Sequence, residues 1–195
     1  MSRIQELVEE IKKLEKELYS ELQQKQHKFY YRVKDRRVYF EEATRRYHKT
    51  LVLRLHTYLR HSSLLNILTI PFIWSCLLPA IFLDLAVTIF HSVCFPIYKI
   101  PPVRRSDYIV VDRHALTYLN IIEKINCVYC GYFNGLISYV QEIAARTEQY
   151  WCPIKHARRQ VALHSRYRKF LEYGDAEGFR RNLEEVRRDF HDLDE

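Results

Sequence analysis

Glycine is scarce and late in this sequence. The 195-residue chain has four, the first at Gly131, and its first proline is Pro71, so nothing in the opening third punctuates a helix. There is no Gly-rich phosphate loop, no GxSxG elbow and no HExxH pair, which removes the motif-bearing nucleotide-binding, hydrolase and zincin classes. The one CxxC is followed by Gly131, not by histidine, which excludes covalent haem attachment. Five cysteines, with Cys76 and Cys94 inside an apolar run, cannot pair into a secreted-type disulfide framework, and a reducing cytosol is the expected surrounding. Charge is missing too: between Leu64 and Tyr98 the only formally charged residue is Asp84.

That apolar run is the most informative stretch present. About 18 apolar residues suffice to cross a hydrocarbon core of roughly 30 Å, and Leu64 to Leu83 meets that without a charge. The run starts too far from Met1 for a cleaved signal peptide and is expected to stay in the mature protein. Arg54 and Arg60 precede it while Lys99, Arg104 and Arg105 follow, so the positive-inside rule places both flanks in the cytoplasm. Two readings follow. Either two segments bend around Pro79 to Asp84 as a re-entrant hairpin, or one kinked and tilted helix spans the bilayer, being roughly 52 Å long at 1.5 Å per residue. An ionised Asp84 facing lipid would cost several kcal/mol, so it is expected in a protein-lined place or near the far leaflet.

The fold class expected is mostly α, membrane-anchored, in three parts: an N-terminal helical arm over 1–61, an intramembrane segment over 62–98 and a cytoplasmic helical module over 99–195. Ile4, Leu7, Ile11, Leu14 and Leu18 recur at alternating steps of three and four, with Leu22, Phe29, Val33 and Phe40 continuing loosely. This predicts one long helix, or two joined near Asp35, serving as a dimer seam, a protein-partner surface or half of an intramolecular hairpin. Further on, the spacing predicts a helix after an N-cap at Asp112, a second over about 136–149, a third from Pro153 to Gly174 and a last over about 176–193. The net charge of +7 is clustered between Lys25 and Arg60 and between Lys155 and Lys169. Beside an apolar run such clusters point to anionic lipid head groups, and nucleic acid is the less favoured partner.

Chemistry is suggested by Cys127, Cys130, Cys152 and His156. Two thiolates three positions apart, then a thiolate and an imidazole four apart, make up a Cys3His set of the kind that holds zinc tetrahedrally. A continuous helix over 136–149 would separate the two pairs by roughly 20 Å, so a closed site needs that helix to be shorter. The alternatives are a CxxC pair acting alone and unliganded buried thiols. The segments FPIYKIPPVRRSDYIVVDR, DRHALTYLN, EKINCVYCGY and RTEQYWCPIKHARR together resemble a group of uncharacterised bacterial integral membrane proteins; the resemblance implies a bacterial inner-membrane location and supplies no activity. The leading expectation is an inner-membrane-anchored, zinc-binding scaffold or regulatory protein that is not an enzyme. The alternatives are a redox protein holding iron or an Fe–S cluster on the Cys/His set, and an enzyme of the lipid interface using Asp84 or His91.

Overall fold

The computed structural model describes residues 3–34, 37–61 and 63–193. The chain is mostly helical and divides into two compact units: one comprises Met1–His61 with Asp112–Val128, the other Ser62–Val111 with Tyr129–Glu195.

In the first unit a helix of 26 residues, α1 (Arg3–Lys28), leads into two short strands, β1 (Tyr31–Lys34) and β2 (Arg37–Phe40). They pair antiparallel, with Tyr31 opposite Phe40 and Lys34 opposite Arg37. A single helix through this stretch is therefore corrected; Asp35, where two helices were expected to join, lies outside the described residues. The strands alternate apolar and polar residues with period two and carry the aromatic and β-branched side chains that fit a pleated surface. On α1, Ile11, Leu14 and Leu18 are exposed, while the side chains of Ile4, Leu7 and Leu22 lie outside the described residues. Two further helices follow, α2 (Glu42–Thr50) and α3 (Leu55–His61). The His48 ring of α2 meets Phe40 and Tyr118 edge-on at 5.4 and 5.2 Å.

The second unit is organised around the apolar run, which forms α4 (Leu64–Ser75) and α5 (Leu77–Tyr98). Cys76 between them keeps helical angles, its N–H bonds to Ile73 O, and its carbonyl accepts from Ala80 N. The helix is interrupted there by one residue and continues without reversing. Pro79 explains the interruption: it has no N–H to bond Ser75 O, and its ring crowds that carbonyl. The re-entrant hairpin around Pro79 to Asp84 is thus corrected, because those residues lie within α5. The helix ends in a Schellman arrangement, with Lys99 left-handed at φ 56 and the Ile100 and Lys99 N–H groups bonding Phe95 O and Pro96 O.

Beyond a single helical turn, α6 (Arg105–Tyr108), and a 3-10 turn at Arg113–Ala115, the longest helix begins: α7 (Ile121–Trp151), of 31 residues. Its start is a capping box. Asn120 Oδ1 accepts from Glu123 N at 3.0 Å and Glu123 Oε2 from Asn120 N at 2.8 Å. The helix expected from Asp112 and the one expected over 136–149 are therefore replaced by one, entered at Asn120. The expected helix from Pro153 to Gly174 is irregular instead, with a parallel bridge between Ile154 and Leu171 and a 3-10 turn at Tyr167–Lys169. The last helix, α8 (Ala176–Val186), is capped by Asp175, whose carboxylate accepts from Gly178 N. The core of the second unit joins Ala80 and Phe95 of α5 to Leu136, Tyr139 and Ile143 of α7, with Ile100, Val103 and Phe190.

Candidate functional site

Two faces of α5 differ in kind. Leu78, Phe82, Leu85, Ile89, Val93 and Ile97 recur at steps of three and four and are all more than half exposed. On the opposite side Ala80, Asp84, Val87, His91 and Phe95 recur likewise and point into the unit. α4 is exposed along nearly its whole length. Across Leu64–Tyr98 the most apolar 18-residue window is 6% buried, whereas the core helix of a globular protein buries its apolar side chains.

The inward face is closed by a return of the chain. After Lys99 the segment 100–111 runs back along α5: Val103 N donates to His91 Nε2 at 3.0 Å, and Arg105 forms a two-pronged ion pair with Asp84, Nη2 to Oδ2 at 2.7 Å. Tyr132 of α7 donates its hydroxyl to the same Oδ2 at 2.8 Å. The one carboxylate of the apolar run is therefore matched by a guanidinium and a phenol, as a poorly solvated charge requires. An accepting Nε2 puts the His91 proton on Nδ1, beside the Tyr139 hydroxyl at 3.5 Å.

The strap formed by 100–111 lies equally close to α7. A Cβ on Gly135 would come within 2.7 Å of both Ile109 Cα and Tyr108 O, and one on Gly131 within 3.1 Å of Val110 O. These glycines are notches that receive backbone. Farther along, Arg146 donates Nη1 to Pro101 O and Pro102 O at 2.9 and 3.1 Å, and its Nε to Glu142 at 2.8 Å. Ser165 Oγ donates to the other Glu142 oxygen at 2.6 Å. A cavity of about 520 Å³ opens here, lined by Pro101, Pro102, Arg104, Asp107, Tyr108, Arg146 and Leu193. Burial, and after it the Glu142 charge, pushes the Tyr108 phenol above its usual range.

The expected metal ligands are distributed along α7 and do not converge. Cys127 and Cys130 are on the helix and Cys152 follows its last residue; 22 residues of helix place Cys130 and Cys152 roughly 33 Å apart. His156 Nε2 faces Glu148 Oε1 at 4.0 Å, and His164 Nε2 reaches the other Glu148 oxygen at 3.1 Å. Among the described residues no three His, Cys, Asp or Glu side chains are grouped to hold an ion. The structure does not bring the Cys3His set to one point, because a long middle helix holds its two halves apart.

A second polar centre had no signal in the sequence. Arg166, 2% exposed, donates Nε to Gln149 Oε1 at 2.6 Å and both terminal nitrogens to Asp192 at 2.7 and 2.9 Å. Lys169 binds Asp189 and Asp192, and Lys155 binds Glu172. Burial opposes ionisation of Asp192, but hydrogen bonds from Arg166 and Lys169 outweigh it and hold the carboxyl far below the usual range. Three members of the Lys155–Lys169 basic cluster are thus paired within the unit, while Arg158, Arg159 and Arg168 remain exposed. No protein-family model, curated protein or solved structure matches the chain.

Proposed function

We propose that this chain is a membrane-anchored, non-enzymatic scaffold protein of the bacterial inner membrane, in which α4 and α5 lie in the bilayer and α1 offers a surface for a protein partner or a second copy. The observation that carries the reading is the exposure of the apolar run: a stripe of large side chains along all of α5, continued over α4, needs a non-aqueous surrounding. Asp84 fits the same reading, since its paired carboxylate can sit at membrane depth without facing lipid. The groups that an interfacial enzyme would use are committed elsewhere: Asp84 is held by Arg105 and Tyr132, and the acceptor nitrogen of His91 is held by Val103 N–H. The scaffold reading does not rest on a bound metal, since Cys130 and Cys152 stand roughly 33 Å apart along α7.

The test is extraction of membranes from cells producing the full chain. A chain anchored by apolar burial stays in the pellet through high salt and alkaline carbonate and is released by detergent. Recovery in the salt or carbonate wash would overturn the proposal.

A further inference from the structure

We infer that the outward face of the β1–β2 hairpin is a docking surface for an anionic lipid bilayer. The strand register sorts the hairpin into two faces. Tyr31, Val33, Val38 and Phe40 share one, and Tyr31, Val38 and Phe40 turn it toward Asp112, Arg113 and Leu116, with which they line a cavity of about 230 Å³. Arg32, Lys34, Arg37 and Tyr39 share the other and are all exposed. That face carries three cations, no acid and one aromatic ring.

Folding alone does not account for this pattern. Lys34 stands directly opposite Arg37, and like charges across an antiparallel pair destabilise it. A hairpin that keeps such a pair is suited to a surface that neutralises it. Tyr39, opposite Arg32 and 52% exposed, is of the type that settles at the head-group level beside cations. The choice of a bilayer over another polyanion rests on the membrane reading above: the apolar run begins at Leu64, so a bilayer that holds it is tethered to the hairpin at high effective concentration.

The experiment places the full chain in nanodiscs of phosphatidylcholine, with or without phosphatidylglycerol, and follows hydrogen exchange of the strand amides. Cationic side chains near an anionic surface contribute roughly fivefold each, so phosphatidylglycerol is expected to slow exchange at least about tenfold, an effect removed by high salt. The variant Arg32→Glu/Lys34→Glu/Arg37→Glu should lose the slowing, while Arg32→Lys/Arg37→Lys keeps it. Wild-type exchange in pure phosphatidylcholine is the reference that shows each variant hairpin still forms. No slowing by phosphatidylglycerol, equal slowing in the triple Glu variant, or slowing by a DNA duplex alone would each overturn the inference. Should the chain prove soluble, the anchor reading fails, and flotation with vesicles of the same two compositions decides the hairpin separately: binding to the anionic vesicles that the triple Glu variant lacks supports it, and its absence refutes it.

Discussion

Gly131 and Gly135 lie one turn apart on α7, and Gly→Ala at each gives the same helical gain of about 1 kcal/mol. Their surroundings differ. At Gly135 the new methyl would meet two backbone atoms at 2.7 Å, and reaching ordinary contact requires the strap to retreat by roughly 0.8 Å. The strap is pinned by the Arg105–Asp84 pair, by His91 and by Arg146, so it cannot retreat freely. Overpacking of this kind costs about 3 kcal/mol at its upper end, leaving a net loss of about 2 kcal/mol for Gly135→Ala. At Gly131 the single tight neighbour, Val110 O at 3.1 Å, needs to give by only a few tenths of an ångström, and the helical gain cancels that to within about 0.5 kcal/mol. In thermal unfolding of the detergent-solubilised chain this corresponds to a midpoint about 4–8 °C lower for Gly135→Ala than for Gly131→Ala. Equal midpoints would refute the claim that the strap is seated in a notch of α7.

Arg105→Met strands the Asp84 carboxylate and should destabilise by about 2 kcal/mol, a value kept low because Arg105 is 42% exposed. Adding Asp84→Asn should restore part of that loss, and strict additivity in the double-variant cycle would show that the pair is not coupled. Because the folded-state pKa of Asp192 is depressed, its contribution is present above the unfolded carboxyl range near 4 and fades as pH falls below it. Wild type should therefore lose protease resistance of the C-terminal segment progressively as pH falls below about 4, and more steeply than Asp192→Asn; parallel profiles would contradict the assignment. Cys130→Ser and Cys152→Ser should each leave the metal content of the purified protein as in wild type; loss of the same equivalent of zinc from both would mean that α7 breaks or that two chains share an ion.

Patterns that local spacing encodes were legible. α1, the apolar run and the start of the last helix near Ala176 all follow from periodicity and capping residues. What escaped depends on distant partners. Gly131 and Gly135 interrupt a helix by propensity, yet the strap needs their missing side chains, so a helix of 31 residues reads locally as a turn followed by a shorter helix. Pro153 offers a helix start, but the segment after it is drawn into a bridge with Leu171 and the Arg166 network. Arg166 looked like one more surface cation because its acceptors, Gln149, Asp189 and Asp192, lie 17 or more residues away. The hairpin was missed because two runs of four residues are too short for period two to outweigh the helical stripe around them. The cysteines show the limit most plainly: their spacing fits a metal, and only the length of α7 says that they cannot meet.

The strap also changes what a flanking charge means. Arg105 follows the apolar run in sequence, but in space it lies beside Asp84, fourteen residues of α5 before Tyr98, with its charge matched there. A tally by sequence position credits it to a flank that it does not occupy. With Arg105 removed from that tally, Lys99 and Arg104 remain after the run against Arg54 and Arg60 before Leu64. Each flank then carries two cations, so a count of charges by itself favours neither orientation of a crossing.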